Sequence, residues 1–318
     1  MKTASKILIL LLAAALLCGC SNTTPDESTF GSTVIITGSM EEESTAPVGE
    51  TQATEPEEEY PYDYTLKSFF DYEDCYDHVP MANISGITAD GQPYSVLPMD
   101  GYSVGQGAVS DGTYGYFLLS GGDGTNCLIY KIDMRTWEVV KTNVIAVEHG
   151  NGVAYNPNTN KLVVSHCTPN PELVSIVNPD SLEVEEVLDL GRGVQSITYN
   201  AKHGMYVIRV NGTWDMALLD ENFEEVAYFK GVNSNLGKQC ISCDDDYIYR
   251  LDSGVIADPG TEAIVVYDWD GNYVGVYRVN STQETEALIV YNGEYYITFY
   301  QTGARVYKLD FDKSLLSG

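Results

Sequence analysis

Five times along this chain a polar residue opens a short apolar run. Gln106 precedes Gly107-Ala108-Val109, Asn151 precedes Gly152-Val153-Ala154, and Gln195 precedes Ser196-Ile197-Thr198. Gln239 then precedes Cys240-Ile241-Ser242, and Glu286 precedes Ala287-Leu288-Ile289. The intervals are 45, 44, 44 and 47 residues. A fixed period of this length marks a repeat architecture. Four short strands per period, separated by turn residues, predict an all-β fold: a five-bladed β-propeller of four-stranded antiparallel blades.

Each period repeats one grammar. In the first, residues 106–110 read as strand a, Asp111-Gly112 as a hairpin turn, 116–120 as strand b, 127–133 as strand c and 137–141 as strand d. Asp-Gly and Asn-Gly, as at Asn292-Gly293, suit turns that need positive φ. Strand c closes on an acid or amide each time: Asp133, Asn178, Asp220, Asp268 and Asp310. Asp268-Trp269-Asp270-Gly271 lacks the distal Glu of a calcium loop and reads as a plain turn. The eight residues after Asp310 are too few for a fifth strand d. Residues 92–98 are therefore expected to close the ring, removing its exposed edges. Residues 64–90, with Phe69, Phe70, Tyr72 and Tyr76, are expected over the outside or one end. Most of the 24 tyrosines are expected in inter-blade packing.

The N-terminal segment is of another kind. Lys2 and Lys6 precede an apolar run over residues 7–17, too short to span a membrane comfortably. It ends in Leu17-Cys18-Gly19-Cys20, which resembles the lipobox of bacterial lipoproteins. The resemblance implies cleavage of residues 1–20 ahead of Cys20 and a diacylglyceryl and fatty-acyl (palmitate-type) anchor on that cysteine, holding the protein on the extracytoplasmic face of a cell membrane. Residues 21–63 carry eleven acids and no Lys or Arg, and predict a disordered, extended tether. Residues 64–318 are left for the propeller.

Charge narrows the partners. The chain has 17 basic and 46 acidic side chains; without the two leader lysines and the eleven tether acids, 15 face 35. That excess argues against nucleic acid, polyphosphate and anionic lipid, and leaves neutral or cationic ligands. Beyond Cys18 and Cys20 there are Cys75, Cys127, Cys167, Cys240 and Cys243, an odd number that makes no neat disulfide framework. Cys240 and Cys243 point to opposite strand faces and read as small core residues. No metal or cofactor is expected, and a monomer is.

Strand a lines the axis of a propeller, so its repeated polar residue turns toward one mouth of the central channel. The matching ends of strand b are Ser120, His166, Arg209, Ser253 and Tyr300, and His149 and Glu284 precede two of the strand-a markers. The candidate ligand-binding set is therefore Gln106, His149, Asn151, His166, Gln195, Arg209, Gln239, Glu286 and Tyr300, with aromatics such as Tyr102 and Tyr155 nearby. The amides have a second possible role, bracing neighbouring blades by hydrogen bonds. A binding protein for a neutral small ligand or glycan is the first reading. A lyase or hydrolase acting on a sugar or lactone is the second, with His149 and Glu284 or Glu286 as its acid–base candidates. A protein-interaction scaffold is the third.

Residues 149–164, beginning His149-Gly150-Asn151-Gly152-Val153-Ala154-Tyr155-Asn156-Pro157-Asn158-Thr159, resemble the H-[AG]-N-[DG]-x-x-Y-N-P-x-T motif of bacterial and phage five-bladed propeller proteins. Gln106-Gly107 and Glu286-Ala287 fall where those proteins carry Q-G and E-G openings. Broader YVTN and gluconolactonase-like propellers share less of the pattern. Gly152 stands where Asp is common in that family, and Ala287 where Gly is. The resemblance implies fold and extracellular setting and assigns no activity.

Overall fold

Burial with a period of two runs through the strands and decides how the sheets stack. The computed structural model describes residues 79–99, 101–254, 262–310 and 312–316. The leader, Cys20, the tether, Cys75 and residues 69–76 lie outside them. The described chain forms strands and one 3-10 turn, Lys313–Leu316. First come β1 (Met81–Ser85) and β2 (Tyr94–Val96). The first sheet is β3 (Tyr102–Ser110), β4 (Tyr114–Gly121), β5 (Cys127–Asp133) and β6 (Glu138–Ile145). The second is β7 (Gly152–Asn156), β8 (Lys161–Ser165), β9 (Leu173–Val177) and β10 (Val184–Asp189). The third is β11 (Val194–Asn200), β12 (Met205–Val210), β13 (Met216–Leu219) and β14 (Glu225–Phe229). Two further runs follow: β15 (Gly237–Cys243), β16 (Ile248–Ser253), β17 (Glu262–Tyr267) and β18 (Tyr273–Val279), then β19 (Thr285–Tyr291), β20 (Glu294–Tyr300) and β21 (Ala304–Asp310). Within every run, consecutive strands pair antiparallel in chain order.

The N-terminal residues do more than cover one end. β1 pairs parallel with β18, through Met81↔Arg278, and antiparallel with β21, through Asn83↔Asp310. It thereby joins the last two runs into a nine-stranded sheet. β2, inside the segment expected to close the ring, pairs with β21 through Tyr94↔Val306 and Val96↔Ala304.

Alternate residues of each run face different neighbours. Tyr116 and Leu118 pack with Val153, Leu162 and Val164 of the second sheet. Their neighbours Phe117 and Leu119 pack with Ile289, Tyr296 and Val306 of the last run. Val163 meets Ile197 and Ile208, Val207 meets Ile248 and Val265, and Tyr249 and Leu251 meet Ile297 and Phe299. Each sheet is apolar on both faces, so its central strands read as continuous hydrophobic runs; β17 is buried at all six positions. The fourth strands turn polar or expose β-branched residues, as at Val139, Val140, Val187 and Val226. The first strands also pack in a cycle: β3 on β7, β7 on β11, β11 on β15, β15 on β19, and β19 on β3. The architecture is all-β and propeller-like, built of four-stranded sheets.

The acid or amide after each strand c has a local cause. The Oδ1 of Asp133, Asn178, Asp220 and Asp268 accepts the backbone N–H two residues on, at 2.8–3.0 Å. These are Asx turns, and Asp268 belongs to one of them.

Candidate functional site

The five polar markers do not open their strands as the repeat predicts; most sit in breaks of the ladder. Register shifts fall between Gly105 and Ala108, Val194 and Ser196, Lys238 and Ile241, and Thr285 and Ala287. Gln106, Gln195, Gln239 and Glu286 lie inside those four bulges. Asn151 lies just ahead of β7, after Gly150 at φ 61°. A bulge frees one residue from the ladder and re-aims its side chain.

The residue after each marker is small: Gly107, Gly152, Ser196, Cys240 and Ala287. Sequence reasoning passed over this signal, and it sets the width of the axis. A Cβ on Gly107 would come within 2.8 Å of the Gly152 Cα, and one on Gly152 within 2.7 Å of the Ile197 nitrogen. The Ile241 N–H donates to Ser196 Oγ at 3.1 Å. Farther across, the Cys240 thiol donates to the Asn151 carbonyl oxygen at 2.7 Å. The inner strands are drawn together at this level, which floors the polar end.

The markers divide into two groups. Gln195 donates through Nε2 to the Lys238 carbonyl at 2.7 Å, and Gln239 to Glu284 Oε1 at 2.6 Å. Each braces its sheet to the next. The other three are buried, with exposures of 5% for Gln106, 4% for Asn151 and 3% for Glu286. Gln106 Oε1 and Asn151 Nδ2 have no hydrogen-bond partner. Among the described residues, Glu286 makes no hydrogen bond or ion pair. These three follow one another around the cycle, on β19, on β3 and just before β7. Buried polar groups left unpaired are costly, so a contiguous arc of them marks a place for something else to bind.

Burial raises the pKa of all three carboxyls grouped at this end. Burial, then Glu284 and Glu262, hold the Glu286 carboxyl well above the carboxylate range. Glu262 is fully buried at the start of β17. It accepts from Thr285 Oγ1 at 2.6 Å, Thr285 N at 2.9 Å, Ser253 Oγ at 2.8 Å and Gly254 N at 3.1 Å. Burial outweighs these donors and pushes it up to about 7. Burial raises Glu284 against its hydrogen bond from Gln239. His149 is half-buried, and burial lowers its pKa, so its imidazole is neutral near pH 7.

The remaining expected contacts lie elsewhere. His166 is buried, its Nε2 2.8 Å from Ser175 Oγ and its Nδ1 3.6 Å from Glu148 Oε2. Burial lowers its pKa more than Glu148 raises it. Arg209, expected at the mouth, is fully buried: it pairs with Asp252 Oδ1 at 2.7 Å and donates to the Leu251 and Gln239 carbonyls. Asp252 Oδ2 in turn accepts from Arg250 at 2.7 Å and from Ser234 at 2.6 Å. Tyr300 is exposed, and Tyr155 hydrogen-bonds Asn160 at the hairpin end of β7, away from Asn151. Glu148, Arg250, Asp252 and Glu262 were missed by sequence reasoning. Arg250-Leu251-Asp252 inside an apolar strand carried the signal, because i, i+2 spacing places both charges on one face.

A depression of about 690 Å³ lies at the opposite end of the strands, beside the β15–β16 turn, lined by Asn200, Asp244, Asp245, Tyr295 and Lys313 among others. Among the described residues, no group of three His, Cys, Asp or Glu is arranged to hold a metal.

No protein-family model matches the chain, and no curated protein matches it in sequence. Solved structures do resemble it. Glutaminyl cyclase of Myxococcus xanthus superposes with TM-score 0.50 at 14% identity, covering 73% of this chain and 97% of that one. The WD40 domain of Neurospora crassa Pan2 gives TM-score 0.41 at 9% identity, covering 63% and 72%. The glutaminyl cyclase is a propeller-type fold, and at 14% identity the likeness to it is one of fold alone.

Proposed function

We propose that this chain is a lipoprotein anchored through Cys20 on the extracytoplasmic face of a membrane, and that its propeller binds a neutral small ligand or glycan at the polar end of the axis. On this reading the five runs of strands are five blades of one ring. The N-terminal segment supplies the outer strand of the last blade. The cyclic packing of the first strands and the pairing of β1 and β2 with β21 support that count.

One observation carries the binding reading: the unpaired arc of Glu286, Gln106 and Asn151 above the small-residue floor. An acceptor, a donor and a carboxyl, all desolvated and already in place, suit the hydroxyl pattern of a sugar. Gln195 and Gln239 hold the other side of the cycle rigid. Arg209 belongs to the framework. A glycan array probed with the full chain tests the reading. Binding should be lost in Asn151→Ala, and in His149→Ala combined with Glu286→Gln, while both variants keep their melting temperature. Variants that unfold, or an array with no hits, would remove it. A Cys20→Ser chain should leave the membrane fraction.

A second reading is favoured by the raised pKa of Glu286 and by the neutral imidazole of His149, on the loop that leads into Asn151. A carboxylic acid kept protonated near pH 7 can give its proton to a leaving oxygen, as a sugar hydrolase or lyase requires. Incubating array hits with the protein and weighing the products separates turnover from binding.

A further inference from the structure

We infer that the ligand at this end of the axis bears a primary ammonium group, seated on the Glu286 carboxyl with Gln106 and then Asn151 next around the cycle, as in a sugar with a free amine. This rests on the glycan reading above and names the class of glycan.

Elimination singles out Glu286. Three carboxyls lie together here. Glu262 is met by four donors from Thr285, Ser253 and Gly254. Glu284 accepts from Gln239. Glu286, in the bulge of β19, has neither donor nor counter-ion among the described residues. The groups acting on it from the packed elements are acids: Glu284 ahead of its own strand, Glu262 from β17 and, more weakly, the Cys240 thiol from β15. The nearby cations are committed, Arg209 and Arg250 to Asp252. Among the described residues, no cationic side chain pairs with Glu286.

The neighbours define what else the ligand presents. Gln106 Oε1, on the adjacent strand, needs a donor, and Asn151 Nδ2, one strand further, needs an acceptor. An ammonium with a hydroxyl on the next carbon offers three N–H donors and one oxygen in a compact group, and so can serve all three side chains. The acidic excess of the domain favours the approach of such a cation.

Binding has a proton balance. Burial favours the protonated form of Glu286 in the empty site; the ligand arrives as R–NH3+. Pairing converts the acid to carboxylate, and its proton goes to solvent while the amine keeps all of its own. A neutral sugar at the same place releases no proton.

The experiment uses the full chain and two probes of equal length: the glucosamine tetramer with free amines and its fully N-acetylated counterpart. Calorimetry at about pH 5.5, where the sugar amines are protonated, in two buffers of different ionisation enthalpy reads affinity and proton release together. The free-amine tetramer should bind about tenfold tighter or better, releasing roughly one proton, because a charge-assisted pair is about twice as strong as a neutral hydrogen bond. In Glu286→Gln the preference and the proton release should both vanish, with an unchanged melting temperature as the control for fold. Equal affinity without proton release would overturn the ammonium inference and leave the glycan reading standing. Binding of neither tetramer, nor of any sugar on the array, would remove both.

Discussion

The Cys240 thiol reaches the Asn151 carbonyl oxygen at 2.7 Å, although β11 stands between their strands in the cycle. Two sheets that are not neighbours thus touch through a single side chain. The contact exists because the residue after each polar marker is small. Cys240→Leu should overfill this point and cost about 1–3 kcal/mol in urea unfolding, whereas Cys240→Ser, which keeps a donor, should cost less.

The same burial makes the thiols inert. Cys127, Cys167, Cys240 and Cys243 are buried, and burial pushes Cys240 and Cys243 up to about 12. Thiolate is the reactive form, so these four should resist alkylation in the native protein and label on unfolding. Mass spectrometry resolved by peptide reads this directly; rapid native labelling of Cys240 would contradict the packed axis.

Asp252 holds two arginines that have no exposure. Although burial opposes its ionisation, Arg250 and Arg209 keep its carboxyl below the usual range. Asp252→Asn would leave two buried guanidinium groups without a counter-ion, and a loss of about 3–5 kcal/mol is expected in chemical denaturation. Replacing all three together (Arg209→Met, Arg250→Met and Asp252→Leu) should recover much of that loss, because the apolar triple carries no charge to desolvate.

Gly152 and Gly122 make a matched pair. A Cβ at Gly152 would press on the Ile197 nitrogen and Ser196 Cα at 2.7 and 2.8 Å, while one at Gly122 would meet nothing within 4 Å. Gly152→Ala should therefore lower stability by roughly 1–3 kcal/mol, and Gly122→Ala should lie within about 0.5 kcal/mol of wild type. Melting curves of the two variants suffice.

Glu262 gives stability an unusual pH slope. Its carboxyl moves from 4.5 up to about 7 on folding, so the folded state holds the extra proton between those values. Its contribution is whole below pH 4.5 and is lost as pH rises to about 7, up to ~3 kcal/mol in all. His149 and His166, whose pKa values burial lowers, work the other way, adding stability as pH rises toward 6.5. The test is thus a difference: Glu262→Gln should flatten the decline relative to wild type across pH 4.5–7. Parallel profiles would contradict it.

Much of the fold was legible because it is periodic. The marker intervals located the inner strands, and Asp133, Asn178, Asp220 and Asp268 marked the turns because an Asx side chain must cap a nearby N–H. Cys240 and Cys243 fell into different cores, with Ala287 and with Ile248, as alternation requires. What stayed hidden depends on neighbours. Gln195 and Gln106 look alike in sequence, yet Gln195 finds the Lys238 carbonyl while Gln106 Oε1 finds no partner. Arg209 looked like a mouth residue until Asp252, from another repeat, claimed it. The role of β1 was out of reach because both of its partners are far away in the chain.

That last feature orders events in time. β1 is made early, but it cannot dock until β18 and β21 have emerged. A growing chain must carry it unpaired through nearly the whole of synthesis, and the seam it completes is the slowest to form, since closing so long a loop comes late and costs entropy. A refolding experiment that follows Ala82 should see it protected after the residues of the first three sheets.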